Sequence, residues 1–289
     1  EMSEISAYLR RTVVANDSRA WSQSISLLGE HDEAQETITH AQTALAQYAA
    51  LVLGTARRAF PDQWRSLKPS VPTLASWVGY DLDGRTDIHW SQSFALRLKE
   101  KAVQLSRYVT DLQAIIEQAE GATKDALIEL SSRLDAAATL TEAEADIFSE
   151  DLTQPDNLVH AANQLTAEQD DRLTKAQPII DQLREIAGQD EDDALAQSIL
   201  VLAAKMDALK LGTARIHLRL NAEQIRTVIS RDLGLETENR DIGRSALKKL
   251  SELASVKTPH PVNFADLFLE QSTARRQFMM CAQLLKHID

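Results

Sequence analysis

The chain has little of what builds disulfide-rich, strand-rich or membrane-spanning proteins. Its 289 residues include one cysteine, Cys281, so no disulfide can form within the chain, and a reducing compartment fits best. Aromatic residues make up 5% of the sequence, beside 9 Gly and 7 Pro. No apolar run reaches the roughly 18 residues of a membrane helix, and no signal peptide is recognisable. We expect a cytoplasmic protein that does not contact membranes, and we interpret Cys281 as a small core residue.

Basic residues are also in the minority. Lys and Arg number 31 against 43 Asp and Glu, which gives a formal net charge of -12. Nucleic acids and anionic membranes are bound through basic patches, so neither is an expected partner. An anionic substrate is still compatible with this charge, because a local group of arginines can outweigh a diffuse negative field.

Hydrophobic residues make up 44% of the chain, and Ala and Leu are abundant, which favours helices. Apolar residues recur at helical spacing over most of the sequence. Pro178 is expected to divide one of these runs, and the polar residues 271–273 are a candidate break in the last. The predicted helices cover residues 1–14, 18–28, 32–60, 92–118, 123–137, 140–151, 156–187, 191–210, 221–232, 240–256 and 264–287, and Gly29 is expected to end the second. We interpret the acidic residues at 170–171 and 190–193 as a solvated surface and not as a metal site.

The stretch 72–90, PTLASWVGYDLDGRTDIHW, differs from the rest of the chain in composition and lacks the helical spacing of apolar residues. Thr73, Trp77, Val78 and Tyr80 predict a short strand, and a polar turn rich in Asp, Gly and Arg follows it. A buried strand that ends in such residues is how α/β enzymes present catalytic groups. The alternative is a plain turn that links two helices.

The stretch 214–220, ARIHLRL, alternates strictly between polar and apolar residues. In a strand, Arg215, His217 and Arg219 share one face, while three apolar residues share the other. Three cationic or titratable groups on one face are unusual for a plain amphipathic edge, so this face is a candidate site. The alternatives are a solvent-facing strand and a helical segment.

Both stretches resemble motifs of phosphoenolpyruvate carboxylase. The family motif G-S-W-x-G-G-D-R-D-G-N-P is matched at its own spacing by Ser76, Trp77, Gly79, Asp81, Asp83 and Gly84. The chain departs from that motif at Tyr80, Leu82, Arg85 and Thr86, which replace Gly, Arg, Asn and Pro. The family strand L-V-R-I-D-I-R-Q is matched by Arg215, Ile216 and Arg219, with His217 in place of Asp and Leu220 in place of Gln. The run 263–289 is similar to the helical region that leads to the next barrel strand.

The resemblance implies a mainly α fold, with long helices and two short parallel strands that belong to an incomplete α/β barrel. We expect the strands 74–80 and 214–220 to lie side by side, with residues 81–85 and Arg219 at the same carboxyl edge. It implies one helical domain over 1–289, a fragment from the first to the middle part of the enzyme. Within it we expect a helical region at 1–71, the strand and motif loop at 72–90, a helical insertion at 91–210, and a strand with C-terminal helices at 211–289.

The same resemblance implies an activity for the parent protein, a lyase of carbon fixation and oxaloacetate metabolism. The family converts phosphoenolpyruvate and bicarbonate to oxaloacetate and phosphate, with Mg²⁺ as cofactor, and a homo-oligomer is expected. The H-P-T motif that supplies the catalytic His and the Gly-Arg-rich phosphate loop are missing from this sequence. We therefore expect the isolated chain to be inactive and to bind no metal.

The site residues implied by the resemblance are few. Arg219 is the expected catalytic residue, because its guanidinium would bind the anionic substrate and the negative charge that develops on it. The expected substrate-binding residues are Arg215, Asp81, Asp83 and Arg85. The alternative to an enzyme fragment is a non-catalytic helical interaction module derived from the same family, and a third possibility is an unrelated helical scaffold.

Overall fold

The computed structural model describes residues 26–81, 88–233, 244–256 and 261–288. It is 73% helical, which confirms the prediction of a mainly α fold with two short parallel strands. Over these residues the only sheet consists of two strands of two residues each. The barrel to which the resemblance assigns them stays a prediction. Over the same residues, no helix is both long enough and apolar enough to cross a bilayer.

The described residues form ten α-helices, one 3₁₀ turn and the two strands. In chain order these are α1 (Leu27–Ala59), the 3₁₀ turn (Trp64–Ser66), β1 (Ala75–Ser76), α2 (Trp90–Ile116), α3 (Gly121–Phe148), α4 (Pro155–Thr166), α5 (Gln177–Gln189), α6 (Asp193–Leu209), β2 (Arg215–Ile216), α7 (Ala222–Leu233), α8 (Arg244–Val256), α9 (Phe264–Leu269) and α10 (Thr273–His287).

Helix boundaries follow local chemistry in most places. Pro178 stands in the first turn of α5, where its missing N–H costs no helical hydrogen bond, so the predicted division of 156–187 is confirmed. The break before α10 is confirmed too, because the Ser272 side chain accepts a hydrogen bond from the Arg275 backbone N–H and starts a new helix. The predicted boundary between 123–137 and 140–151 is wrong, since α3 runs through it without interruption. The predicted helix end at Gly29 is wrong too, because α1 begins at Leu27 and continues through that glycine, while the predicted helix 1–14 lies outside the described residues.

Two hydrophobic clusters lie at opposite ends of α2. The first, which we call the aliphatic core, joins α1, α2, α3, α5 and α6 and is made mostly of Leu, Ile and Ala. The second, the aromatic core, gathers residues of α2, α3, α9 and α10. In it the Phe94 ring stacks on Phe148 at a centroid distance of 5.4 Å and meets the edge of Phe264 at 5.4 Å. Because α2 contributes to both clusters, it is buried on nearly every side.

The packing of the C-terminal helices differs from the predicted one. The apolar spacing in 264–287 predicts Phe268, Phe278 and Leu285 as core residues, yet all three are exposed. Buried positions in α10 are instead taken by Ala274, Gln277, Met280, Gln283 and Leu284. The amide side chains of the two glutamines donate to the backbone carbonyls of Arg219 and Val262, which compensates for part of the cost of their burial.

Candidate functional site

The two strands lie side by side and parallel, which confirms the predicted pairing of the two distinctive stretches. Ala75 is aligned with Arg215 and Ser76 with Ile216. The backbone N–H of Arg215 donates to Leu74 O at 2.9 Å, and that of His217 donates to Ser76 O at 2.8 Å. Parallel neighbours need a long crossover, and helices α2 to α6 supply it between β1 and β2.

The predicted strands 74–80 and 214–220 are too long, since β1 and β2 have two residues each, but the alternation of exposed and partly buried residues continues along 215–219. Arg215, His217 and Arg219 are exposed, whereas Ile216 and Leu218 are partly buried and pack against the aromatic core. Pairing with β1 therefore holds β2 so that its polar face points to solvent. We call the side chains of Arg215, His217 and Arg219 the cationic strand face.

Arg219 stands in contact with the β1 stretch. Its guanidinium lies 4.7 Å from the ring centroid of Trp77, and its Nη1 atom is 3.9 Å from Asp81 Oδ2. The Arg219 side chain is 54% exposed and that of Asp81 19% exposed, so water screens this ion pair. The His217 ring meets the edge of Trp77 at 6.5 Å. Trp77 thus braces two members of the cationic strand face.

A tight turn after β1 puts Trp77 and Asp81 in place. The Tyr80 N–H donates to Trp77 O at 3.0 Å, and Gly79 has a φ of 90° that L-residues rarely adopt. A Cβ on Gly79 would lie 2.5 Å from Leu96 Cδ1 on α2. The Ser93 hydroxyl donates to Gly79 O at 2.7 Å. Glycine at this point of the motif is therefore required by backbone conformation and by the close approach of α2.

Behind β2, one face of α2 carries buried charged and polar residues. Arg97 is 4% exposed, and its Nη1 atom donates to Ala214 O at 2.9 Å and to Glu100 Oε2 at 3.1 Å. Its guanidinium lies so close to Gly212 that a Cβ there would overlap it. Arg97 therefore fixes the backbone immediately before the cationic strand face.

Further contacts tie this buried face to distant parts of the chain. Glu100 Oε1 is 2.9 Å from the Nε2 atom of His31 on α1. Lys101, which is 1% exposed, donates from Nζ to the backbone carbonyls of Leu173 and, at 2.7 Å, Ile288. We call Arg97, Glu100 and Lys101, together with His31, the buried ionic layer.

A third set of contacts holds the loop between α6 and β2. The Gln42 amide donates to Thr213 O at 2.7 Å and to Gln104 Oε1 at 2.8 Å. The Tyr108 hydroxyl donates to the backbone carbonyl of Lys210 at 2.8 Å, and burial raises the pKa of this phenol well above its usual value. Tyr108 therefore stays neutral and acts as a donor.

Sequence reasoning identified the cationic strand face but missed the buried ionic layer. The predicted helix 92–118 was characterised by its apolar positions alone, and the charges of RLKEK at 97–101 were left unexplained. One signal could have indicated the layer: Arg97, Glu100, Lys101 and Gln104 recur at helical spacing on one face of a helix whose other faces are already apolar.

The structure brings together only some of the predicted site residues. Arg219 and Asp81 lie next to each other, and Arg215 shares the exposed strand face with Arg219. Asp83 and Arg85 fall in the span 82–87, outside the described residues. The predicted convergence of the two stretches is therefore confirmed for Asp81 and Arg219, and it stays a prediction for the rest of the motif.

The described side chains of this site do not suit Mg²⁺. Magnesium prefers oxygen ligands, whereas Arg215, His217 and Arg219 present nitrogen atoms, two of these side chains are cationic, and the nearby carboxylate of Asp81 faces Arg219. No group of three or more His, Cys, Asp or Glu side chains with metal-site geometry occurs in the part of the chain that the structure describes.

Comparison with models of protein families, with curated proteins and with solved structures finds no match for this chain. The resemblance to phosphoenolpyruvate carboxylase therefore rests on the sequence stretches alone.

Proposed function

We propose that the cationic strand face binds a small anionic substrate and that the chain is part of an enzyme of the phosphoenolpyruvate carboxylase type. One observation supports this most directly. Arg219 follows β2 by three residues, on the carboxyl side of a strand that is parallel to and hydrogen-bonded with β1, and it lies beside Asp81, which follows β1. Parallel α/β enzymes bind their substrates at that edge.

The surroundings of Arg219 suit anion capture. Its guanidinium is oriented by the face of Trp77 and keeps exposed N–H donors that a phosphate or carboxylate can accept in a bidentate manner. Asp81 holds the guanidinium only weakly, because their closest atoms are 3.9 Å apart. A dianion can therefore replace Asp81 as the main partner of Arg219 without a large desolvation cost.

Arg215 and His217 add to the field at the same face. Arg215 and His217 are exposed and stand four and two residues before Arg219, and Arg215 brings a second permanent positive charge to this face. In a chain with a net charge of -12, such a local concentration of positive charge is a departure from the average surface. It would attract phosphoenolpyruvate and stabilise negative charge that develops on the enolate.

In this proposal the chain supplies binding and orientation, and the remaining chemistry comes from outside it. The sequence contains no H-P-T motif, and His260 and Pro261 are followed by Val262 instead of Thr. The isolated chain should therefore bind phosphoenolpyruvate without converting it. A coupled assay with malate dehydrogenase, bicarbonate and Mg²⁺ should show no oxaloacetate above a mock preparation.

The direct test of binding is a calorimetric titration of phosphoenolpyruvate into the chain and into two variants. Arg219→Ala should weaken binding about tenfold or more, since hydrogen bonds to charged groups are worth roughly 1.5–3 kcal/mol. Arg226→Ala, which removes an exposed arginine on α7, is the matched control and should bind like the parent chain. If both variants bind equally well, the cationic strand face is not the substrate site.

A second candidate function, the non-catalytic interaction module, is favoured by the outer face of α10. Phe278 and Leu285 are 55% and 69% exposed there. They are seven residues apart and so lie on the same face of the helix, where they form an exposed apolar patch. If this face binds a protein, Phe278→Ser should abolish that association and leave phosphoenolpyruvate binding intact.

A further inference from the structure

A cleft of about 510 Å³ lies between β2, the start of α5 and the last helix, α10. This volume is within the range typical of small-molecule sites. Its walls are mainly apolar and include Leu211, Ile216, Leu218 and Leu284. Arg219 does not line it. The cleft is therefore separate from the Arg219–Asp81 contact, although it adjoins the same strand.

The charged residues that line the cleft are all basic. They are Lys175, Lys210 and Arg215, with Arg97 at the buried side, and none of the described lining residues is acidic. Lys210 pairs with Asp207 at 2.6 Å and Arg97 with Glu100 at 3.1 Å. Among the described residues, Lys175 and Arg215 form no ion pair, so two cations at the cleft have no acidic neighbour of their own.

The start of α5 adds a third feature of the same sign. Ala176 and Gln177 line the cleft, and no side chain caps the N-terminus of this 13-residue helix. Pro178 has no N–H, so the uncapped donors of this first turn are those of Gln177 and Ile179, and together with the helix dipole they attract anions. Two unpaired cations and an uncapped helix N-terminus thus meet at the edge of an apolar cavity.

We propose that this cleft binds a small amphipathic anion. Its carboxylate or phosphate head is held by Lys175, Arg215 and the start of α5, and its apolar body lies between Leu218 and Leu284. An inorganic anion alone would leave the apolar walls unused, and a neutral apolar compound would leave the cations unused. This inference goes beyond the proposed function and does not depend on Arg219.

Four compounds separate these possibilities: 4-phenylbutyrate, 4-phenylbutyl phosphate, 4-phenylbutanol and inorganic phosphate. Binding is followed by NMR of labelled Leu and Ile methyl groups, which report directly on Ile216, Leu218 and Leu284. At least one of the two amphipathic anions should bind about tenfold or more tightly than 4-phenylbutanol, from the worth of a hydrogen bond to a charged group. The comparison of the two anions identifies the preferred head group.

A second readout uses the only cysteine of the chain. Cys281 lines the cleft, and burial raises the pKa of its thiol to about 11, so its alkylation is expected to be slow. The bound anion should slow alkylation by N-ethylmaleimide further, as measured by intact-protein mass spectrometry. Inorganic phosphate at the same concentration should leave the rate unchanged.

Charge-reversal variants complete the test. Lys175→Glu should weaken binding of the amphipathic anion at least about tenfold, since it replaces an attraction by a repulsion. Lys248→Glu makes the same change of net charge on α8, where the side chain is 80% exposed, and should have little effect. Arg219→Ala should leave binding in the cleft unchanged, because Arg219 does not line it, while Arg215, which belongs to both sites, is intact in this variant.

Several results would overturn the proposal. These are equal binding of 4-phenylbutanol and the two anions, equal effects of Lys175→Glu and Lys248→Glu, a loss of binding in Arg219→Ala, or no methyl shifts with any compound.

Discussion

The cationic strand face and the buried ionic layer both consist of charged side chains, and both are attached to β2, but their surroundings are opposite. Arg219 is 54% exposed and meets its acidic partner at 3.9 Å, through water-accessible space. Arg97 is 4% exposed and donates to two protein oxygens at 2.9 Å and 3.1 Å. The charges in the first set are available to a ligand, whereas those in the second are committed to protein partners.

This difference separates a binding role from a structural one. Exposed ion pairs contribute at most about 1 kcal/mol to stability, so the strand face can exchange partners at little cost. Removal of one member of a buried pair costs about 3–5 kcal/mol, because it leaves an uncompensated charge away from water. The buried layer should therefore hold β2 in place, and the exposed face should determine what binds there.

The largest expected effect is at Glu100. Its carboxylate is the shared partner of Arg97 and His31, so Glu100→Ala should lower the free energy of unfolding by about 3 kcal/mol or more. Urea denaturation measures this directly. Glu129→Ala, on the exposed side of α3, is the matched control and should change stability by less than about 0.5 kcal/mol.

The same position also tests whether charge itself is needed. The double variant Arg97→Met with Glu100→Leu removes both charges and should recover part of the stability lost in Glu100→Ala, since paired apolar replacements avoid unpaired charge. Equal losses in Glu100→Ala and Glu129→Ala would mean that the buried layer does not stabilise the fold.

The next effect in size connects the two regions. Gly212→Ala places a methyl group where the Arg97 guanidinium lies, and so should displace Arg97 from Ala214 O. We expect a loss of about 2 kcal/mol, the usual cost of overpacking together with a broken hydrogen bond. Phosphoenolpyruvate binding should weaken as well, because Ala214 leads directly into the strand.

Gly188→Ala is the control for that variant. A Cβ at Gly188 would meet open space, and Ala is the better helix former, so stability should stay equal or rise by up to about 1 kcal/mol. If Gly212→Ala is as stable as the parent chain, the close approach of Arg97 to the strand does not constrain it.

A smaller effect is expected from pH, at a histidine of the aromatic core. The His287 ring lies 6.5 Å from that of Phe264, and burial, followed by the charges of Lys286 and Arg172, lowers its pKa from 6.5 to about 4. Between these two values the unfolded chain binds a proton that the folded chain does not. Stability should therefore fall as the pH is lowered from 6.5 towards 4, and be unaffected by this group above 6.5.

The slope due to one such group is at most about 1.4 kcal/mol per pH unit, and exposure of part of the ring should keep it well below that. Urea denaturation at pH 7 and pH 5 should give a smaller difference for His287→Gln than for the parent chain. An unchanged difference would assign the acid sensitivity to other groups.

These contrasts also explain what could be predicted from the sequence. The strand face was predictable because 214–220 alternates with a period of two residues. When Ile216 and Leu218 are buried, the residues between them must face solvent. The pairing of 214–220 with 72–90 came from the resemblance and was confirmed by the register of β1 and β2. Long helices were predictable from apolar spacing and from proline positions, as at Pro178.

The buried ionic layer was not predictable in the same way. A run such as RLKEK has the composition of a solvated helix face, and its burial depends on α1 and the loop before β2, which are distant in sequence. The outer face of α10 misled for a related reason. Phe278 and Leu285 are large apolar side chains and are exposed, whereas Gln277 and Gln283 are buried and donate hydrogen bonds to backbone carbonyls.

The smallest expected effect is at Arg219 itself, where stability and binding should respond differently. Its contacts with Trp77 and Asp81 are both exposed to solvent, so Arg219→Ala should lower stability by no more than about 1 kcal/mol. A double-mutant cycle of Arg219→Ala with Trp77→Leu should give a coupling energy of about 0.5 kcal/mol by urea denaturation. Phosphoenolpyruvate binding by Trp77→Leu should weaken less than by Arg219→Ala, since Trp77 only orients the guanidinium. A coupling energy above about 2 kcal/mol would contradict the binding role, because it would show that Arg219 stabilises the fold around β2 as the residues of the buried ionic layer do.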